Sequence, residues 1–256
     1  MSENKPIQHY GAHWFRWKDI EHLSNLERTA FVAACFCVNE VNALRRITLF
    51  SMSIDEECKL VKDAEMVQRQ VLLRVLTGKL FEFLELYKGL SGRKSESKVI
   101  SDALSRLNVA HSTCVRHPGY KYAKKIRNSQ AHHYDLRAIE QTASRVEKDA
   151  RCEFFLATEG PNSFFPFAEH LVFNPDPKGR LDDELEDGEA DAIIGQWIEW
   201  INLVSEFVHT FLDTLVEELM SKRRVDFNAR RRLEFLSPQM KVATDFRLPV
   251  FVRAFS

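Results

Sequence analysis

In three long stretches of this chain, apolar residues recur every three or four positions, which restricts the chain to helical folds. The stretches cover about residues 19–50, 54–88 and 192–220. This spacing places the apolar side chains on one face of an α-helix. The third stretch carries so many large apolar residues that we expect burial on more than one side, in a core or a subunit interface. The sequence therefore predicts a mainly all-α protein built as an antiparallel helical bundle.

Capping and turn residues set the expected helix boundaries. Ser53-Ile54-Asp55-Glu56 has the pattern of a capping box, so the second helix should begin near residue 54. Glycines that follow position 88 should end it. A shorter helix is expected over 95–110. After the turn at His117-Pro118-Gly119, a fourth helix is expected over 120–151.

The two ends of the chain lack this rhythm. Residues 1–18 are predicted to form an irregular N-terminal arm. Residues 152–256 form a partly irregular C-terminal extension, which should pack on the same core through its long apolar helix. Short strands are expected at 152–158 and 170–173, and an edge strand at 246–255.

Composition bounds the possible functions. A chain of 256 residues can bury a sizeable core. Its formal net charge is −1, so any nucleic acid must be bound by local basic patches. The five cysteines are scattered, no apolar run reaches transmembrane length, and the N-terminus has no secretory signal. We expect a reduced, cytoplasmic protein that does not bind membranes.

The fourth predicted helix contains a motif able to support RNA cleavage. Its sequence is Arg127-Asn128-Ser129-Gln130-Ala131-His132-His133-Tyr134. An Arg and a His that converge on one phosphodiester can cleave RNA without a metal, because the Arg stabilises phosphate charge and the His moves protons. An Arg–His pair at this spacing is weak on its own, but the adjacent Asn and Tyr make the pattern more specific. The alternative is a solvated helix face.

Helix geometry separates the two histidines of the motif. With about 100° per residue, one mostly apolar stripe is expected to face inward. It contains Tyr122, Ile126, Ser129, His133 and Leu136. His133 is therefore predicted to be a core or interface residue, and His132 the catalyst, one turn from Asn128. Arg127 and His132 lie roughly 140° apart on an ideal helix, which is awkward for a shared site. The long Arg stem can bridge part of this gap, and a helix break or a second subunit could complete the site.

The R-N-x-x-x-H-x-Y pattern, preceded by two long helices and a short one, resembles the HEPN superfamily. These all-helical proteins include metal-independent ribonucleases and toxins. The resemblance covers about residues 19–150, so we assign a HEPN-like helical domain to 19–151. It implies a homodimer with the site in a cleft at the twofold interface, cleavage to a 2′,3′-cyclic phosphate, and a role as a toxin or in antiviral defence.

The resemblance also implies residue roles. His132 would be the general acid or base, Arg127 would stabilise the transition state, and Asn128 would orient His132 or the phosphate. Some toxins of this type are silenced by nucleotidylation of the motif Tyr, which corresponds here to Tyr134. An antitoxin or regulatory protein is therefore a possible partner. The long C-terminal extension departs from those short toxins.

A basic tail is the best local candidate for binding RNA phosphates, although a solvated terminal surface is an equal alternative. Its candidate residues are Arg223, Arg224, Arg230, Arg231 and Arg232. A weaker hypothesis is a zinc-supported scaffold, based on His111-x-x-Cys114-x-x-His117 with Cys152 as fourth ligand. No paired C-x-x-C supports it, so we expect no metal and no cofactor. The main alternative to a nuclease is a non-catalytic HEPN-like module that binds a nucleotide, nucleic acid or a protein.

Overall fold

The computed structural model describes residues 10–13, 16–51, 58–129, 139–140, 143–146, 152, 155, 163–172, 186, 188–225 and 231–234. The predicted all-α class is confirmed. The helices with defined bounds are α1 (Asn25–Phe50), α2 (Lys59–Gly92), α3 (Lys98–Arg116), α4 (Gly119–Ser129), α5 (Pro166–Val172) and α6 (Glu189–Arg223). Short 3-10 helices, Trp17–Ile20 and Lys94–Glu96, precede α1 and α3. A two-stranded antiparallel ribbon joins β1 (Tyr10–His13) to β2 (Arg231–Glu234).

Helix α6 packs against α1, α2, α3 and α4. It contributes to the same hydrophobic cluster as those four helices. Its fully buried side chains include Trp197, Trp200, Val204, Val208, Phe211 and Leu215. Each such side chain stabilises the fold by roughly 1.5–3 kcal/mol relative to exposure. The predicted burial of this stretch on more than one side is confirmed, and the side chains lie in the core of the bundle.

Two buried hydrogen bonds fix α6 relative to its neighbours. The indole nitrogen of Trp197 donates to Thr77 Oγ1 of α2 over 3.0 Å. That of Trp200 donates to the Cys114 carbonyl of α3 over 3.1 Å. A buried indole N–H without an acceptor would be costly, so these bonds favour one packing of the three helices.

Three helices extend beyond their predicted ends. Helix α2 continues to Gly92, because Leu90 is buried and the Ser91 hydroxyl donates to the Tyr87 carbonyl. Burial of Cys114 accompanies the extension of α3 to Arg116. Helix α6 spans Glu189–Arg223 where 192–220 was expected. The predicted capping box at 53–56 lies outside the described residues, and α2 begins at Lys59.

The prediction of one continuous helix over 120–151 is wrong. Residues 144–146 form a turn and a bend. The Ser144 amide donates to the Glu140 carbonyl over 2.9 Å, and the Val146 amide then donates to the Ala143 carbonyl over 3.3 Å. The change from a four-residue to a three-residue spacing tightens the backbone, as at many helix ends. Periodicity alone does not reveal such an end.

Two predictions outside the long helices also need correction. The N-terminal arm is not wholly irregular, since Tyr10–His13 pairs with Arg231–Glu234. The strand expected at 170–173 is wrong, because Pro166–Val172 is helix α5, and proline suits a first helical position. Within 152–158, Phe155 forms an isolated bridge with Phe164. The edge strand predicted at 246–255 lies outside the described residues.

Candidate functional site

A close contact with α6 positions the start of the motif helix α4. A Cβ atom at Gly119 would lie 2.0 Å from the carbonyl oxygen of Gln196 and 2.8 Å from Cβ of Trp200. The next residue, Tyr120, places its ring 5.4 Å from that of Phe81 and 6.3 Å from that of Trp200, measured between centroids. Helix α4 can approach α6 this closely because residue 119 has no side chain.

The inner face of α4 is buried as its periodicity predicts. Tyr122, Ala123 and Ile126 lie in the hydrophobic core, and Ile126 is completely inaccessible. The inward position predicted for Tyr122 and Ile126 is therefore confirmed. The side chain of Ser129 and residues 130–138 lie outside what the structure describes, so the inward position of His133 remains a prediction.

The first two motif residues lie on the exposed face of α4. Arg127 and Asn128 are both exposed, and Arg127 Nη1 donates to Asn128 Oδ1 over 3.1 Å. That bond uses one of the five donors on the guanidinium. His132 and Tyr134 lie outside the described residues. A shared cleft for Arg127 and His132, and the exposure of Tyr134, remain predictions.

Among the predicted RNA-binding arginines, Arg223 has a structural partner. Its Nε and Nη2 donate over 3.1 and 2.7 Å to Oε1 of Glu27, whose side chain is fully buried. Burial raises the pKa of Glu27, but hydrogen bonds from Arg223, Ser97 and Ser24 outweigh it and leave the pKa below its ordinary value. Arg223 therefore holds the end of α6 against α1.

Three of the other tail arginines lie at the end of α6 or in β2. Arg224 is exposed and ends α6 in a left-handed conformation, with φ of 55°. Arg231 and Arg232 lie in β2, opposite His13 and Ala12 in the backbone register. Their side chains, and Arg230, lie outside the described residues, so the proposed phosphate contacts of this tail remain predictions.

A recess that the sequence analysis missed lies between α2 and α3 and is bordered by Tyr120 of α4. Its volume is about 630 Å³. Tyr87 lines the recess, and the His111 ring stacks on the Tyr87 ring with centroids 4.4 Å apart and planes 16° apart. Burial lowers the pKa of His111, so this imidazole is neutral at pH 7. The ring then offers one donor and one acceptor.

A second, shallower cavity of about 500 Å³ continues the recess along α3. The two cavities share Asn108, and we call them together the α3 groove. Ser105, Asn108 and Ser112 recur at helical spacing along it. This polar row was the sequence signal that could have indicated the groove. The recess itself could not be predicted, because its volume depends on how the side chains of α2, α3 and α4 pack against one another.

The residues of the weak zinc hypothesis have other contacts. Cys114 is fully buried, and burial raises the pKa of its thiol to about 11. His117 accepts a hydrogen bond at Nδ1 from the Gly119 amide over 3.1 Å, and His111 stacks on Tyr87. In the part of the chain that the structure describes, no group of three or more His, Cys, Asp or Glu residues could hold a metal ion.

The remaining observations concern the chain as a whole. No helix among the described residues is long and apolar enough to cross a membrane. No family model matches the chain, and neither a curated protein nor a solved structure is similar enough to count as a match.

Proposed function

We propose that this protein is a metal-independent endoribonuclease of the HEPN type. The observation that carries the proposal is the adjacent pair Arg127 and Asn128, exposed and hydrogen-bonded on a helix whose opposite face is buried. A cation held on a rigid element is what stabilisation of a phosphoryl transition state requires. His132, four residues beyond Asn128, supplies the proton carrier.

The proposed reaction is an attack by the ribose 2′-oxygen on the adjacent phosphorus. The P–O bond to the 5′-oxygen breaks, giving a 2′,3′-cyclic phosphate and a free 5′-hydroxyl. The 2′-hydroxyl loses a proton and the leaving 5′-oxygen gains one; His132 makes one of these two transfers, as base or as acid, and solvent makes the other. Arg127 stabilises the charge on the phosphate oxygens, and Asn128 orients the guanidinium that donates to it.

The same resemblance supports further proposals on assembly and regulation. A homodimer would bring Arg127 and His132 together across a twofold axis. Nucleotidylation of Tyr134 by an antitoxin or regulatory protein would add an anion beside Arg127 and block the substrate phosphate. The exposed Arg224, together with Arg230, would add phosphate contacts from the tail. The same resemblance suggests a role as a toxin or in antiviral defence.

The test is cleavage of single-stranded RNA in buffer containing EDTA. We expect wild-type cleavage, with products that carry a 2′,3′-cyclic phosphate. Arg127→Ala and His132→Ala should each lower the rate by about 10²-fold or more, since each removes a transition-state interaction. Lys124→Ala is the matched control, because Lys124 is an exposed cation on the same helix outside the motif.

Three outcomes would contradict the proposal. Cleavage that occurs only with added divalent metal would overturn the mechanism. Full activity of His132→Ala would remove His132 from the reaction. RNA binding by the wild type without cleavage would favour the alternative, a non-catalytic helical module that binds nucleic acid.

A further inference from the structure

The α3 groove has a cation at each of its two ends. Lys94 lies beside the recess, and Arg116 lines the second cavity. Neither has an ion-pair partner among the residues that the structure describes. Helix α3 has 19 residues and is therefore about 28 Å long. The two cations are spaced widely enough to contact different phosphates of one strand.

Between these cations, the α3 side of the groove carries uncharged polar side chains. Asn108 is exposed at the junction of the cavities, and the hydroxyls of Ser105 and Ser112 lie on the same helix face. The acidic group in the lining is Glu85, which lies 3.7 Å from Lys88 in an ion pair. The Ser105 hydroxyl donates to the Ser101 carbonyl over 2.7 Å, so it offers its oxygen as an acceptor. Uncharged hydrogen-bonding groups between separated cations suit a polymer whose charges are spaced along its backbone.

The recess has the size and surface for a nucleobase. At about 630 Å³ it is within the range of small-ligand pockets. Its apolar lining includes Leu84, Leu104 and Tyr120, and His111 offers a flat ring fixed by its stack on Tyr87. Bases stack on flat rings regardless of sequence, and the neutral imidazole and the Asn108 amide can hydrogen-bond to a base edge.

We propose that the α3 groove binds single-stranded RNA, with one unstacked base in the recess and phosphates on Lys94 and Arg116. A duplex would not present a base to the recess. The inference rests on the proposed function for the choice of RNA. It adds to that function the path of the RNA strand, along a surface separate from the Arg127–Tyr134 motif.

The test is binding of a fluorescein-labelled octanucleotide of 2′-O-methyl RNA to the full chain, followed by fluorescence anisotropy. This probe has no free 2′-hydroxyl, so it cannot be cleaved through a cyclic phosphate. At about 100 mM salt, Lys94→Glu and Arg116→Glu should each weaken binding by about 5-fold or more and reduce the salt slope by about one. Lys62→Glu is the control, because Lys62 is exposed on α2 outside the groove, and should change affinity by less than about 2-fold.

A second variant tests the recess itself. Asn108→Asp places an anion at the junction of the two cavities, where it would repel the strand, and should weaken binding by about 5-fold or more. Asn39→Asp makes the same change at an exposed position of α1 outside both cavities and should have little effect. Thermal unfolding of each variant checks that it is folded, and the exposed Lys94 and Arg116 variants keep the test valid if Asn108→Asp does not fold.

The outcomes separate this inference from the nuclease proposal. If the wild type does not bind the probe, or if Lys94→Glu and Arg116→Glu bind it as tightly as the wild type, the groove assignment is overturned. Cleavage of natural RNA in either case would leave the nuclease proposal standing. Binding that these variants weaken, with no cleavage of natural RNA, would support the groove and overturn the endonuclease.

Discussion

A buried carboxylate joins the ends of three helices. Oε1 of Glu27 accepts from Ser97 Oγ over 2.7 Å, in addition to its bonds from Arg223, and Oε2 accepts from the Ser24 amide over 3.0 Å. Ser24 caps α1, Ser97 caps α3, and Arg223 ends α6. Removal of one member of such a set leaves the others buried without partners, which is the costly case for polar groups.

Glu27→Gln should therefore destabilise the protein by about 2 kcal/mol, less than the loss of a fully buried pair because Arg223 reaches solvent. Urea unfolding of the full chain measures the change. Glu96→Gln is the matched control, since Glu96 pairs with Arg93 on the surface and its loss should change little. Equal stability of Glu27→Gln and the wild type would mean that this set does not hold the helix ends together.

The same carboxylate predicts a pH dependence. Because the pKa of Glu27 is lowered in the folded state, its contribution is fully present above the ordinary carboxyl value of about 4.5 and is lost as the pH falls through the folded pKa. The stability difference between wild type and Glu27→Gln should thus be constant from pH 6 to 7 and shrink below about pH 4.5. Urea unfolding of both proteins across this range measures it. A difference that grows toward low pH would contradict the sign.

Sequence alone gives only part of these residue contacts. Ser24 and Glu27 have the capping-box spacing, so their local pairing is readable from the chain. The partner Arg223 lies 196 positions away, and it was predicted instead to contact RNA. An exposed arginine tail and an arginine paired with a buried acid look alike in sequence, because the difference depends on which helices meet.

At the scale of elements, the contact between α4 and α6 determines where the motif lies. Gly119→Ala should destabilise the protein by about 1–3 kcal/mol, since the new Cβ would overlap the backbone carbonyl of Gln196, which no side-chain rotation relieves. Gly89→Ala is the control: it lies in α2 with open space around it, so it should be neutral or stabilising by about 0.5–1 kcal/mol. Thermal unfolding compares the two.

Gly119→Ala should also slow any RNA cleavage, because the shift needed to relieve the overlap would move the helix that carries Arg127. Gly89→Ala should leave cleavage unchanged. If both variants unfold at the wild-type temperature, α4 and α6 do not pack as closely as this contact requires.

The helices themselves were predictable because each buries one face at a helical period. The apolar residues of α1, α2 and α6 give that signal directly, and the inner stripe of α4 at Tyr122 and Ile126 follows it. Two local predictions were wrong: the end of the fourth helix and the strand expected where helix α5 lies. The pairing of β1 with β2 was not predicted, for another reason. It joins residues more than two hundred positions apart, and strands of four residues are too short to show a clear alternation of apolar and polar side chains.

For the whole molecule, α6 is part of the same core as the start of the motif helix α4. It contacts α1, α2, α3 and α4, and Trp200 lies between the Cys114 carbonyl and the start of α4. The apolar run at 192–220 predicted burial but left open a core or a subunit interface. The structure places this face in the core, so a subunit interface must use other surfaces.

A twofold dimer is the expected assembly, because Arg127 and His132 lie roughly 140° apart on an ideal helix and a partner chain can complete the site. Light scattering at micromolar concentration should give twice the mass of the 29.8 kDa chain. If each site takes Arg127 from one chain and His132 from the other, a mixture of Arg127→Ala and His132→Ala proteins can regain activity. Half of the randomly reassorted dimers are mixed, and half of their sites are intact, so recovery should reach roughly a quarter of wild type. Either variant alone, carried through the same unfolding and refolding, should remain inactive. A monomer in solution, or no recovery although mixed dimers form, would show that the two residues do not act across an interface.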